Sequence, residues 1–238
     1  MIDSVQEVHY LLTLMWDNFF KRPLDTLKHY WSQTYEEIRQ IFLNFHWYEV
    51  YDFIEFITNT YPDQRTNEKF MDYCNTVLES EVSAYRFVGG KITKITSEEE
   101  ISEIEEALEA SKPLVGVHIH LKSALDKLAD RKSPDYRNSI KESISAVESI
   151  CILITKNEKT TLGDALKKID EKIQIHQSLK RAFNQLYGYT SDAEGIRHAL
   201  LNEPNLDFED AKFMLVSCSA FINYLSCKAS KAGIKLQL

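Results

Sequence analysis

The chain has 238 residues and a formal net charge of −8, which is length enough for one large domain or two small ones, each with a core. That acidity excludes a broad polyphosphate-binding surface, because non-specific nucleic-acid affinity comes largely from cationic contacts, and it leaves room only for a local basic site. Cys74, Cys151, Cys218 and Cys227 show neither Cys-x-x-Cys spacing nor a Cys/His cluster, so they read as small apolar side chains of a reducing compartment. The N-terminus has no basic region ahead of an apolar core, and no run of about 18 apolar residues follows. A cytoplasmic protein without a membrane segment is the expectation.

Val5, Val8, Leu12, Met15, Trp16 and Phe19 keep the three-and-four spacing of a helix face, and Arg22-Pro23 breaks it. The pattern predicts a second helix from an Asp25 or Thr26 cap to about Leu43. A third covers Trp47 to Tyr61, and a fourth runs from Thr66 past Leu78. Trp16, Trp31 and Trp47 all lie in this half. Aromatics without neighbouring Lys and Arg are expected to form core rather than a stacking platform.

Tyr85 to Ile95 alternates short β-prone runs about Gly89-Gly90, which predicts a hairpin near residues 84–95. It is no phosphate loop, since the later Gly and the Lys-Ser/Thr pair are missing. Thr96 or Ser97 then caps a helix rich in Glu, read as a solvated face. A boundary is placed near Ser111-Lys112-Pro113, giving a helical N-terminal domain with its hairpin over residues 1–111 and a helical bundle over 112–238. The fold class is therefore mainly α.

Past the boundary, 115–131 reads as a helix carrying His118 and His120. Two residues apart on a helix the rings diverge by about 160°, so the pair cannot chelate one ion and no metal is expected. Ser133-Pro134 resembles a helix start. The amphipathic stripe Tyr136, Ile140, Ile144, Val147, Cys151 and Ile154 follows, with Arg137, Lys141, Glu142 and Glu148 off it. Further helices are read from Thr161-x-x-Asp164 and over Ser178 to Tyr187. The helix over 207–227 carries apolar residues on nearly every side, as expected of a central helix or a dimer contact. Between these helices, Tyr187 to His198 reads as a polar turn punctuated by Gly188 and Gly195 and ending in Arg197-His198.

The run from Pro134 through Glu148, then Leu186-Tyr187-Gly188-Tyr189 and Gly195-Ile196-Arg197-His198-Ala199, resembles the HEPN superfamily, in particular the abortive-infection J type domains of bacterial phage defence. The hairpin and acidic helix, Tyr85 to Ala110, are similar to what that group carries ahead of its HEPN part. The resemblance implies an all-α bundle, a homodimer, and ribonuclease chemistry at the protomer contact with no metal or other cofactor. The HEPN motif, Arg followed after four to six residues by His, is not met in the half that carries the resemblance: Asn202, Glu203 and Pro204 follow Arg197 at those positions, and Glu142, Ser143 and Ile144 follow Arg137. Pairs at that spacing do occur in the other half, Arg22 with His29 and Arg39 with His46. With eight arginines and seven histidines in the chain, about 0.7 such pairs arise by chance.

Two readings stay open. In one, His198 is the general acid or base on an RNA 2′-hydroxyl, Arg197 stabilises the phosphate charge, and Arg137, Asn138, Lys141, Glu142 and Asp192 support them as phosphate donors or His orienters; a 2′,3′-cyclic phosphate results. In the other, Arg197 bridges Asp192 or Glu194, His198 is a satisfied interior residue, and the chain is a non-catalytic module that senses a partner protein or nucleotide.

Overall fold

The structure is a computed structural model and describes residues 2–157, 162–173, 175–191 and 206–236. Its described residues form α1 (Ile2–Leu14), α2 (Trp31–Leu43), α3 (Trp47–Thr60), α4 (Gln64–Ser80), β1 (Arg86–Val88), β2 (Lys91–Thr93), α5 (Glu98–Ser111), α6 (Val115–Ala129), α7 (Tyr136–Thr155), α8 (Leu162–Lys172), α9 (Gln177–Ser191) and α10 (Phe208–Lys231). The protein is mainly α with one small two-stranded hairpin. Its contacts divide it into two compact units, Met1–Ile92 and Thr93–Leu238.

In the first unit, α1 passes into a π-turn, Met15–Phe19, because the Phe20 and Arg22 amides reach back to the carbonyls of Met15 and Trp16 at 2.8 and 2.9 Å. The wider turn rolls Trp16 inward, where it is fully buried and donates its indole N–H to Thr26 Oγ1 at 2.9 Å. Phe20 meets its ring edge-on at 5.6 Å, and Phe19, Phe20, Phe42, Phe45, Phe53 and Phe56 pack on one another with ring centroids mostly 5–6 Å apart, spacings at which edge-to-face and tilted pairs are favourable. The expected helix from Asp25 or Thr26 is corrected. Leu24–Thr26 is a single 3-10 turn held by Pro23, and α2 begins at Trp31 without a side-chain cap. The expectation that the aromatics of this half are core holds for Trp16 and Phe53 and in part for the half-buried phenylalanines around Phe53, but fails for Trp31 and Trp47, which are 58% and 56% exposed, and for the exposed Phe70, Tyr10, Tyr30, Tyr35 and Tyr73.

The hairpin has Gly89 and Gly90 at φ +54° and +85°, the left-handed region that glycine enters without steric cost. A lone two-stranded ribbon is marginal in water, and here helices supply what a third strand would. The Phe87 N–H donates to Asn75 Oδ1 at 2.6 Å, and Asn75 Nδ2 donates to the Phe87 carbonyl at 3.3 Å. On the other edge the Ile92 N–H donates to the buried Glu55 carboxylate at 2.6 Å, while Asn59 Nδ2 holds the Gly90 carbonyl at 3.1 Å.

In the second unit, Ser97 caps α5 by accepting from the Glu100 N–H. α10 packs on α5, α6 and α7, while α7 meets α6, α8, α9 and α10 and is the more central of the two. α10 carries a capping box in which Asp207 and Asp210 exchange bonds. Its burial is less complete than its sequence predicts: Phe213 is 56% exposed, and Val216 and Tyr224 are half-buried. Asn223 Nδ2 ties it to the Glu103 carbonyl and carboxylate at 3.0 and 2.9 Å. The expected Ser133-Pro134 start of α7 also moves: Asp135 is the cap, accepting from the Asn138 N–H at 3.0 Å.

Candidate functional site: the polar seam of helices α6 and α7

Two short links fix the register of the antiparallel pair α6 and α7. Ser139 Oγ donates to the Ala124 carbonyl at 2.8 Å, and the Asp135 N–H donates to the Lys127 carbonyl at 3.2 Å. The inner side of the pair is tightly closed, with Val117, Leu121, Ala124, Ile140, Ile144 and Ala146 fully or nearly fully buried. Small residues at 124, 139, 143 and 146 let the helices approach closely, and the Ser143 hydroxyl satisfies itself on the Ser139 carbonyl at 2.9 Å.

On its outer side the same register lays polar residues along both helices. His120 Nδ1 meets Glu142 Oε2 at 2.6 Å, with the two side chains 35% and 23% exposed. One turn further along α6, Ser123 Oγ accepts from Lys127 Nζ at 3.0 Å. Across from it, Asn138 Nδ2 donates to Asp135 Oδ2 at 2.7 Å. The helical divergence of His118 and His120 is realised: His118 Nδ1 turns to α5, at 3.1 Å from the Leu108 carbonyl and 3.2 Å from Ser111 Oγ. Among the described residues, no group of three or more His, Cys, Asp and Glu is placed to hold a metal ion.

The structure thus brings together part of the expected site. Arg137, Asn138, Lys141 and Glu142 share the first turns of α7, with Lys141 exposed and the other three half-buried. Glu142, expected to support His198, instead meets the imidazole of His120. Asp192, Arg197 and His198 lie outside the described residues. The turn expected from Tyr187 is corrected as far as it is described, because α9 continues to Ser191. Gly188 is carried inside the helix at a cost of about 1 kcal/mol relative to alanine, which one residue of a packed helix can absorb.

Sequence reasoning missed His120 as a site residue because it weighed the His-x-His pair only as a chelate. The available signal was that residues two apart on a helix face different neighbours. Just beyond the seam, Pro113, Leu114, Val115, Gly116, Val117, Ser149, Ile152, Leu153 and Leu236 line a largely apolar cavity of about 510 Å³.

Fold and site together define a mainly α protein whose second unit is a helical bundle presenting a histidine–carboxylate seam on its surface. Residues 4–110 match the family model described as AbiJ N-terminal domain 4. This segment is therefore similar to the abortive-infection J type, and the similarity points to a role in phage defence. No curated protein and no solved structure matches the chain. No helix among the described residues is long and apolar enough to cross a membrane.

Proposed function

We propose that this chain is an RNA-directed abortive-infection protein of the cytoplasm, with a HEPN-like bundle from about residue 112 acting as a metal-independent endoribonuclease in a homodimer. The observation that carries the reading is the match of residues 4–110 to the AbiJ N-terminal domain, joined to the HEPN resemblance of the C-terminal half. His198 serves as general acid or base on the 2′-hydroxyl, and Arg197 stabilises the charge growing on the phosphate. Arg137, Asn138, Lys141, Glu142 and Asp192 support them. The products are a 2′,3′-cyclic phosphate and a 5′-hydroxyl.

The test is incubation of the purified protein with bulk RNA and tRNA in EDTA, beside a folded His198→Ala variant of equal oligomeric state. Cleavage by the wild type alone, with cyclic phosphate ends, upholds the reading. Absence of cleavage by a folded dimer overturns it.

A second reading, a non-catalytic module that binds a partner protein, is favoured by two observations. The net charge of −8 opposes nucleic-acid binding, and exposed Tyr30, Trp31, Tyr35, Trp47 and Tyr73 are the residue types that anchor protein interfaces. Capture of a specific protein by the intact chain, lost on replacing Trp31 or Trp47, distinguishes it.

A further inference from the structure

We infer that His120, held by Glu142, is a catalytic residue of the RNA cleavage proposed above and supplies the histidine that the sequence lacks after Arg137. The inference rests on that reading. The Arg137 helix has Glu142 where the HEPN pattern places a histidine, and the structure shows that this glutamate reaches across the helix pair to grip an imidazole on α6. The motif position is thus filled by a histidine–carboxylate pair assembled from two helices.

Three features suit the pair to proton transfer. The first is orientation: Nδ1 is fixed on a carboxylate at 2.6 Å, so the ring cannot turn away and Nε2 is the reactive nitrogen. The second is access. The His120 side chain is 35% exposed, and Nε2 makes no hydrogen bond among the described residues. Its neighbour His118, of the same residue type two positions earlier, has its ring nitrogen engaged on the end of α5. The third is rigidity. Glu142 and His120 project from helices whose register is fixed by the buried Ser139–Ala124 bond, so the backbone keeps the two side chains within hydrogen-bond reach of each other. Lys141, exposed beside Glu142, and Lys127, two turns along α6 from His120, supply local cations in an otherwise acidic chain.

In the step assigned to it, His120 Nε2 takes the proton of an RNA 2′-hydroxyl while the 2′ oxygen bonds to the adjacent phosphorus. The bond from phosphorus to the 5′ oxygen breaks, and that oxygen takes its proton from protonated His198, which is the general acid of this step and is reprotonated by solvent. No oxidant, metal or added nucleophile is required, and the His120 imidazolium returns its proton to solvent. Glu142 is a positioning residue that touches the imidazole and not the RNA.

The experiment compares wild type, His120→Ala, His120→Gln, Glu142→Gln and His198→Ala on the RNA that the wild type cleaves, with circular dichroism and light scattering confirming fold and oligomeric state. His120→Gln keeps a group able to donate to Glu142 but cannot carry the proton. Both His120 variants are expected to lose about 10²- to 10⁴-fold in kcat, and added imidazole is expected to restore part of the His120→Ala activity. Glu142→Gln is expected to lower kcat with KM unchanged. Cleavage by His120→Gln within threefold of wild type overturns the inference while leaving the ribonuclease reading intact. Loss in His120→Gln without imidazole rescue of His120→Ala assigns the histidine a structural role and equally overturns it. A wild type that cleaves no RNA removes the reading itself, and the inference with it.

Discussion

Asn75 pairs with Phe87 as a neighbouring strand would, accepting its N–H at 2.6 Å and donating to its carbonyl at 3.3 Å. Phe87 is 2% exposed, so water cannot take over either bond. Asn75→Ala leaves a buried donor and acceptor unpaired and is expected to cost about 1–3 kcal/mol. Asn75→Asp keeps an acceptor for the N–H and should cost less. Urea titration and hydrogen exchange at the Phe87 amide check this, and unchanged protection in the alanine variant would show that the helix does not hold the strand.

The three tryptophans divide by burial, and the division can be read by fluorescence. Trp16 is fully buried, with its indole N–H on Thr26, while Trp31 and Trp47 lie open. Acrylamide is expected to quench two populations in the native protein, and Trp31→Phe with Trp47→Phe should remove the accessible one. Trp16→Ala should cost about 3–5 kcal/mol, whereas Trp47→Ala should stay within about 1 kcal/mol. An equally large loss at Trp47 would contradict its exposure.

Those tryptophans also show where sequence legibility ends. Trp16 sits on a periodic apolar face that anticipates burial, and the hairpin follows from Gly89-Gly90, since local backbone chemistry decides both. Trp31 and Trp47 are helix-starting residues, and whether a first turn is covered depends on which element packs over it, which no local pattern encodes. The same limit explains the site. Arg137, Asn138, Lys141 and Glu142 were legible as one helical stretch, but the partner of Glu142 comes from 22 residues earlier. That distance was settled by the interhelical register through Ser139 and Ala124. The 3-10 turn at Leu24–Thr26 was missed because Asp25 and Thr26 resemble a cap, while Thr26 instead spends its hydroxyl on the Pro23 carbonyl and on Trp16.

Asp130 gives the connection between α6 and α7 a definite pH dependence. Its Oδ1 accepts from the Ser133 and Lys132 N–H groups, each at 2.9 Å, and these bonds, that of Ser133 foremost, hold its carboxyl below the usual carboxylate range. A lowered native value means the ionised form is favoured by folding. The stabilisation is fully present above the unfolded value of about 4 and is lost as pH falls through the native value. Asp130→Asn keeps an acceptor without the charge, so the variant should be less stable than wild type at pH 7. Its Tm deficit should shrink steadily between pH 4 and pH 2. A deficit constant with pH would assign the effect to geometry rather than to charge.

The cysteines should separate by reactivity in the order of their burial. Burial pushes the Cys218 thiol up to about 12, and it raises the Cys151 thiol strongly as well, with Glu148 adding to the effect. Neither forms the reactive thiolate at neutral pH, and neither is accessible. Cys227 is exposed, and Cys74 is half-buried with its thiol raised by burial. A thiol-specific reagent at pH 8 should therefore label Cys227 first and Cys74 more slowly. Cys151 and Cys218 should react only at the rate at which the second unit opens, and denaturant should release both together because α7 and α10 share one core. Rapid labelling of Cys218 in the native protein would mean that this face of α10 is not packed into the core of the bundle.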